Sequence, residues 1–359
     1  MSARPARHLL WQAVRLAIGV VVLAYAVGVL AFFALQALLP ACSPQLSPLA
    51  YLGPFLFAPL LATLPLALLA RLWVAAAANL AVLILAAVLY GPFFLTPPGD
   101  SSATAGELLR VMTFNLHASQ APAEELAAVI AAEDADIVAV QELDGVSAAA
   151  FRAGLGDRYP HLLLDPEAGG NGLLSRFPIL AADVFQPASV GRQALQATLD
   201  VRGTAVHVIV AHPNPPAPCW IPGWPLPTGL CCGQLEAQIA AIAQRAESVA
   251  GPVLVLGDLN VSDRTRAYAL MAAELSDAFR EAGSGFGFTF PNRRPIGPVF
   301  VTRPLVRIDH IFHSGHLLPR QARVVCPSVS DHCYVVAQFG PVALGRGAVH
   351  PGGGFSLLP

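Results

Sequence analysis

The sequence contains no lysine, and no aspartate or glutamate precedes Asp100. Only four of its 21 basic residues fall within the first 95 positions, so the remaining 17 arginines face all 23 acidic residues, at a formal charge of −6. Charged residues make up 12% of the chain and hydrophobic residues 55%, with a mean hydropathy of +0.58. This composition excludes an ordinary soluble protein. The net-acidic C-terminal part also argues against a dedicated nuclease, unless its arginines gather on one face.

The first 95 residues form an almost uninterrupted hydrophobic block. Leu9–Leu39 is long enough to cross a bilayer core of about 30 Å. It is too long for the apolar region of a signal peptide, which is about 7–15 residues. Leu49–Leu69 and Leu72–Leu95 predict two further spans, joined by a very short turn at Arg71. We therefore expect a multi-pass membrane protein, and the bacterial plasma membrane is the expected location.

The arginines of this block predict its orientation. Arg4, Arg7 and Arg15 precede the first span, and Arg71 lies between the second and third. Both positions are cytoplasmic if the N-terminus is inside, as the positive-inside tendency requires. Three spans then place everything after Thr96 outside the cell. Two spans would instead leave the C-terminal part in the cytoplasm.

Composition also marks the domain boundaries. A Pro/Gly/Ser-rich linker over residues 96–106 follows the transmembrane block of residues 1–95. Alternating apolar strands and amphipathic helices then indicate an α/β domain over residues 107–345. A Gly-rich tail occupies residues 346–359.

Polar residues follow several of the predicted strands, at the points where α/β folds place their chemistry. They are Asn115, Glu142, His212, Asp258, Asn260, Asp309, Asp331 and His332. Four carboxylates with amide and imidazole groups suit a hard cation such as Mg²⁺, which takes oxygen ligands. No Cys/His spacing matches a zinc site. His310, His313 and His316 do not converge on a strand and turn, so we do not expect them to bind metal.

Six short segments carry a specific resemblance. They are Thr113-Phe-Asn-Leu116, Val140-Gln-Glu-Leu143, Ala211-His212, Gly257-Asp-Leu-Asn260, Arg307-Ile-Asp-His-Ile311 and Ser330-Asp-His332. Their order over about 220 residues resembles the endonuclease/exonuclease/phosphatase superfamily, which includes deoxyribonuclease I-like nucleases, sphingomyelinases and inositol-polyphosphate phosphatases. The resemblance implies a four-layer α/β/β/α sandwich, so the expected architecture is N-terminal transmembrane helices followed by this sandwich. It also implies in-line attack of an oriented water on phosphorus, assisted by Mg²⁺ or, as an alternative, Mn²⁺.

By the same resemblance, Glu142 is the principal metal ligand, Asn115 helps to hold metal or phosphate, and Asp331 lies near the metal. Arg307 is a further candidate for a phosphate contact, although an arginine at a strand start is more often a surface residue.

The remaining residues are expected to act on the water and the phosphoryl group. Asp258 and Asn260 resemble the pair that orients the attacking water, and an Asx turn after the strand would build that pair. His332 resembles the general base or charge-stabilising histidine, with Asp309 setting its tautomer. His212 resembles the histidine that contacts the scissile phosphate or leaving group.

The loop over residues 213–232 bears on the substrate. It begins directly after His212, is rich in proline, and carries Trp220 and Trp224, a residue type common at membrane interfaces. We therefore expect a membrane lipid phosphate as substrate, either a phospholipid or an isoprenyl pyrophosphate. The layout resembles VanJ-type teicoplanin-resistance proteins. A membrane-tethered nuclease acting on nucleic acid and a non-enzymatic membrane sensor remain as alternatives.

The six cysteines allow disulfides if the domain is exported. Cys219 is expected to pair with Cys231 or Cys232 across the proline-rich loop. Cys326 and Cys333, which bracket Asp331 and His332, are candidates for a second bridge.

Overall fold

The computed structural model describes residues 4–39, 42–95, 108–117, 120–167, 170–297 and 299–340. The predicted linker over 96–106 and the predicted tail over 346–359 lie outside the described residues. Within the described ranges, the chain forms a helical block (residues 4–95) and a C-terminal α/β domain.

The helical block contains α1 (Arg4–Leu38), α2 (Ser47–Tyr51), α3 (Leu60–Leu69) and α4 (Trp73–Tyr90), with 3-10 turns at Gly53–Phe57 and Gly91–Phe94. The helices of the α/β domain are α5 (Ala123–Glu133), α6 (Gly145–Leu155), α7 (Gly233–Glu247), α8 (Arg266–Ala272) and α9 (Ala278–Ala282). Its strands begin with β1 (Leu109–Asn115), β2 (Ile137–Gln141), β3 (His161–Asp165), β4 (Asn171–Ser175), β5 (Ile179–Phe185), β6 (Ala194–Val201), β7 (Thr204–Val210), β8 (Ala217–Cys219) and β9 (Gly229–Cys231). They continue with β10 (Val253–Asp258), β11 (Ser276–Asp277), β12 (Arg294–Ile296), β13 (Val299–Val301), β14 (Asp309–His313), β15 (Pro319–Val325) and β16 (Tyr334–Phe339).

Two helical segments of the block, His8–Leu38 and Trp73–Phe94, are long and apolar enough to cross a membrane. The stretch predicted as the second span, Leu49–Leu69, is irregular in the structure and divides into part of α2, a 3-10 turn and α3. Proline explains the division, since it lacks the N–H that a helix interior needs. Pro54 lies in the 3-10 turn, and Pro59 forms the N-terminal boundary of α3.

Helices α1 and α4 run in the same direction. Near their starts, Arg15 Nη2 donates a hydrogen bond to the carbonyl of Arg71 at 3.0 Å. Farther along, Asn79 Nδ2 of α4 donates to the carbonyl of Val22 at 3.4 Å. At the other end, the Phe57 ring packs against both Phe33 of α1 and Tyr90 of α4. The segment between α1 and α4 therefore returns along the length of the block.

The α/β domain is built on two six-stranded sheets. The first has the order β15-β16-β1-β2-β4-β3 and the second β11-β14-β10-β7-β6-β5. Period-two alternation in the central strands assigns their side chains to two faces. Leu254 and Leu256 of β10 face the first sheet across the central core, whereas Val253 and Val255 pack under α7. Since α5 and α6 cover the first sheet in the same way, the domain is a four-layer α/β/β/α sandwich, as predicted.

The sheet registers bring the polar strand ends to one edge. β1 and β2 are parallel, as are β7 and β10, so their carboxyl ends lie together. β14 is antiparallel to β10, and Asp309 at its start is in register with Asp258. This edge is where a site can form.

All six cysteines are paired. Cys219–Cys231 and Cys326–Cys333 confirm the two predicted bridges. The third bridge, Cys42–Cys232, was not predicted and joins the helical block to the α/β domain. Leu230 N donates to the carbonyl of Pro44 at 2.9 Å beside it.

A buried ion cluster lies under the same edge of the domain. Arg307, only 1% exposed, contacts Asp263 through Nη2 and Asp277 through Nη1, the latter at 2.7 Å. Arg280 Nε also pairs with Asp263 at 2.7 Å, and its guanidinium lies 3.7 Å from the Phe93 ring centroid of the helical block. Although burial opposes it, the arginines hold the pKa of Asp263 and of Asp277 well below the ordinary range. The predicted phosphate contact by Arg307 is therefore wrong, because two buried carboxylates already occupy this guanidinium.

Replacing Arg307 tests this structural role. Arg307→Met leaves Asp277 buried without its main partner, so we expect a loss of about 3–5 kcal/mol in unfolding free energy, the usual cost of breaking a buried pair. Arg158→Met removes a surface pair with Asp134 and should cost at most about 1 kcal/mol. Because the lowered pKa values stabilise the fold only above about pH 4, the wild-type melting temperature should fall on further acidification. Thermal denaturation across pH measures both effects, and equal losses in the two variants would contradict the assignment.

Candidate active site

Asp258, the last residue of β10, is the centre of the polar edge and is 2% exposed. Its Oδ2 atom lies 3.0 Å from Asn115 Nδ2, 3.3 Å from His212 Nε2 and 3.8 Å from His332 Nε2. Burial would raise its pKa, but the two histidines and the Asn115 hydrogen bond outweigh burial and lower it well below the ordinary range. Asp258 is thus a buried anion that residues from the ends of three other strands hold in place.

Glu142 lies beside this centre, with Oε1 3.2 Å from Asn115 Nδ2 and 3.9 Å from His212 Nε2. Its side chain is 34% exposed, so one face of the carboxylate is open. Its backbone has a φ of 55°, a conformation that non-glycine residues seldom adopt and that often marks functional sites. Gly170 supports this turn, because it accepts a hydrogen bond from Leu143 N at 2.8 Å and a Cβ on it would lie 3.4 Å from Glu142 Cα.

His332 and Asp309 form a buried pair, with Nδ1 3.0 Å from Asp309 Oδ2. Against the opposing effect of burial, Asp309 and Asp258 raise the pKa of His332 to about 9. Burial also raises the pKa of Asp309. The pair leaves His332 Nε2 directed at Asp258, and the Phe290 ring covers the imidazole at a centroid distance of 4.7 Å.

Asn260 completes the turn after β10. Its backbone N–H donates to Asp258 Oδ1 at 3.1 Å, which is the Asx turn expected from the sequence. Its Nδ2 donates to the carbonyl of Pro213 at 2.9 Å and so ties this turn to the residue after His212. The structure brings Asn260 to the site.

The other predicted residues occupy different positions. Asp331 lies at the site but pairs with Arg294 and, at 2.8 Å, with His117 Nδ1. Trp220 and Trp224 lie outside the catalytic centre, 61% and 60% exposed, in the hairpin that connects β8 and β9.

Sequence reasoning missed one cation at the centre. Arg192 Nη1 lies 2.8 Å from His212 Nδ1, and the side chain is half-buried. Gly191 has a φ of 120°, and a Cβ there would lie 1.9 Å from Gln238 Nε2, so this turn needs glycine. The only sequence feature that could have indicated this contact is the glycine directly before Arg192. Arg192 lies 20 residues before His212, however, and no repeating pattern of residues connects the two positions.

The donor set fits a divalent cation. Glu142 offers carboxylate oxygens at the open side of the site, and the buried Asn115 Oδ1, which accepts a hydrogen bond from His117 N at 3.1 Å, is the neighbouring amide oxygen; hard cations prefer oxygen ligands of both kinds. Asp258, Asp309 and His332 present ligand atoms within 4.8 Å of one another, and the buried Asp309 Oδ1 has no hydrogen-bond partner among the described residues. Cys42 and Cys232, which lie near Glu236, are bonded to each other and are not metal ligands.

The family model of the endonuclease/exonuclease/phosphatase family matches residues 112–332, well over half of the chain. The chain belongs to this family. All of the site residues described above lie within the matched range. No curated protein matches the chain significantly.

Solved structures agree on the fold. The endonuclease/exonuclease/phosphatase from Bacteroides vulgatus is 20% identical over 65% of this chain and 99% of its own, with a TM-score of 0.52. D. rerio TDP2, complexed with a single-strand DNA product, is 16% identical over 67% of this chain and 100% of its own, also with a TM-score of 0.52.

Membership defines the class of reaction. Members of this family are metal-dependent hydrolases that act on phosphoester bonds, and this chain is one of them. The family uses divalent metal ions. The non-enzymatic sensor considered from the sequence is therefore set aside.

Substituting the central residues tests the arrangement. Asp258→Ala, Glu142→Ala and His332→Ala should each lower hydrolysis by orders of magnitude, and double variants should lose much less than the product of the single losses, because the groups act as a unit. EDTA should abolish activity and added Mg²⁺ restore it. His316→Ala is the matched control, since His316 contacts only Ser314 in the described structure. Full activity in EDTA, or additive losses, would contradict the assignment.

Proposed function

We propose that this protein is a membrane-anchored, Mg²⁺-dependent phosphoesterase that hydrolyses a membrane lipid phosphate, either a phospholipid or an isoprenyl pyrophosphate. The proposal rests above all on one observation: the helical block packs against the loops that form the catalytic edge. Tyr51 donates a hydrogen bond to the carbonyl of Asn260 at 2.6 Å, two residues from Asp258. A phosphate presented at the membrane surface is therefore close to the reacting groups.

Aromatic contacts extend this junction. Phe55 of the helical block stacks on Phe288 at 5.6 Å, and Phe288 stacks on Phe286 at 5.1 Å. Phe286 in turn packs edge-on against Tyr90 and Phe94. Phe290, which covers His332, lies two residues after Phe288 in the chain, so the same segment contacts both the helical block and the histidine of the site.

We propose a role for each of these side chains in the hydrolysis. A divalent ion held by Glu142 and Asn115 would neutralise charge on the phosphoryl oxygens. Asp258, as a buried anion, accepts a hydrogen bond from the attacking water and orients it in line with phosphorus. His332, oriented by Asp309 and kept protonated near neutral pH by its raised pKa, presents Nε2 to the same point and stabilises the phosphoryl charge. His212 faces the leaving group.

The hairpin over residues 217–231 supports a lipid surface as partner. Trp220, Ile221, Trp224 and Leu226 are each at least 55% exposed, and such a patch is costly in water. The Cys219–Cys231 bridge closes its base, and Leu230 bonds to the helical block. We propose that the two tryptophans dip into the membrane interface beside the site, where aromatic rings are favoured.

A membrane-tethered nuclease is the second candidate. The structural likeness to TDP2, whose structure holds a single-strand DNA product, favours it, although at 16% identity this likeness concerns the fold. The net charge of −6 after residue 95 disfavours a polynucleotide, which needs repeated cationic contacts.

Topology is the first test of the proposal. Since α1 and α4 run in the same direction and residues 42–69 return between them, we propose three passes with the catalytic domain outside the cell. The three disulfides favour an oxidising compartment. A phosphatase reporter fused after Asp100 should be active and a fluorescent cytoplasmic reporter dark, whereas fusions at Arg71 should give the reverse. A cytoplasmic signal after Asp100 would overturn the orientation.

Substrate choice is the second test. The purified full chain should release phosphate from a lipid phosphate in mixed micelles, and do so far faster than it cleaves plasmid or single-stranded DNA. Trp220→Ser/Trp224→Ser should lower activity on bilayer-embedded substrate about 10-fold or more while leaving a soluble phosphoester and the melting temperature nearly unchanged. Val146→Ser, at another exposed apolar residue, is the control. Loss of both activities together with stability would mean that the tryptophans pack against the protein, and DNA cleavage without lipid hydrolysis would favour the nuclease.

A further inference from the structure

Two cavities adjoin along the wall of the site. The first has a volume of about 560 Å³ and is lined by Gly191, Arg192, Asn214, Pro215, Pro216, Ala217, Pro218 and Gln234. The second, of about 360 Å³, is lined by Gln45, Pro48, Pro218, Pro227, Thr228, Gly229 and Leu230. Because Pro218 lines both, they form one groove, which begins at Arg192 beside His212 and ends against α2 of the helical block. We call it the proline groove.

The groove has one cationic end. Arg192 contacts His212, yet no carboxylate of the described residues lies within ion-pair distance of its guanidinium. By contrast, Arg280, Arg294 and Arg307 around the same edge are each paired with an aspartate. A half-buried arginine without an acidic partner, placed against a catalytic histidine, is well suited to an anionic group of the substrate.

The rest of the groove is mostly apolar and is rigid. Four of its lining residues between 215 and 227 are prolines, and proline restricts the backbone. Buried Gln238 ties the two sides together: it accepts a hydrogen bond from Asn214 N at 2.9 Å and donates one to the carbonyl of Val190 at 3.2 Å. The cationic end and the apolar wall are therefore held at a set separation before substrate binds.

We infer that the proline groove binds the apolar chain of a lipid phosphate, with Arg192 holding the phosphate or the leaving-group oxygen beside His212. The inference rests on the proposed function and specifies its substrate as a lipid whose apolar chain begins directly after the phosphate. Past Arg192 the groove offers only Asn214 and Gln234 as polar side chains until it reaches Gln45 and Thr228, which leaves little to bind a large polar head group. A single cation is also too few for successive phosphates of a nucleic acid.

A series of alkyl phosphates of increasing chain length tests the groove. With the detergent-purified full chain, kcat/KM should rise by about fourfold for each methylene that the groove buries and then level off. Ala217→Trp fills the first cavity and should flatten this rise. Ala217→Ser, which keeps the cavity open, should retain the wild-type slope. Ala217→Met is a milder block in case the tryptophan variant is unstable.

Arg192 needs a separate comparison. Arg192→Gln should lower kcat/KM about 10- to 100-fold for short and long chains alike, the loss typical of a charge-assisted hydrogen bond, and keep the chain-length slope. Arg152→Gln, which removes an exposed arginine on α6, should change neither.

The outcomes separate the two levels of the proposal. Lipid hydrolysis by the wild type with an unchanged slope in both Ala217→Trp and Ala217→Met would overturn the groove and leave the proposed function standing. Absence of any alkyl phosphate or lipid hydrolysis, with DNA cleavage present, would overturn both. If Arg192→Gln lowers kcat/KM for the alkyl phosphates no more than Arg152→Gln does, the role of Arg192 is overturned.

Discussion

The buried carboxylate of Asp258 is the constraint around which this domain is organised. Burying an anion costs free energy unless the charge is neutralised and hydrogen-bonded. Asp258 is 2% exposed, and its partners are the side chains of Asn115, His212 and His332. Those partners lie on different strands of both sheets. The two sheets must therefore end at one edge and keep their registers, and the catalytic geometry and the fold depend on each other.

A second layer of constraint comes from the helical block. The Cys42–Cys232 bridge, the bond from Tyr51 to the Asn260 carbonyl and the aromatic layer around Phe286 attach it to the loops of the catalytic edge. A simple anchor requires only a flexible connection to its domain. Contacts of this kind instead hold the reacting groups in one orientation relative to the helices, and they support the proposed membrane substrate.

The ion cluster of Arg307, Asp263, Asp277 and Arg280 lies between the Asp258 site and the helical block. It lies under the turn that carries Asn260, and Arg280 extends it to Phe93 of the helical block. Arg307 was a reasonable phosphate contact from its place next to a catalytic motif. Burial decides otherwise, because the guanidinium is 1% exposed and already pairs with the carboxylates of Asp263 and Asp277.

The sequence determined the class of chemistry and the four-layer sandwich through the family resemblance of its short motifs, and it predicted which polar residues follow the strands, because such motifs report on local structure. It also predicted two of the three disulfides, whose cysteines are close along the chain. Only the tertiary structure decided the Cys42–Cys232 bridge, the approach of Arg192 to His212, the burial of Arg307 and the packing of the helical block on the catalytic edge. Each of these joins segments that are far apart in the chain, and their meeting depends on sheet register and helix packing, which local patterns do not encode.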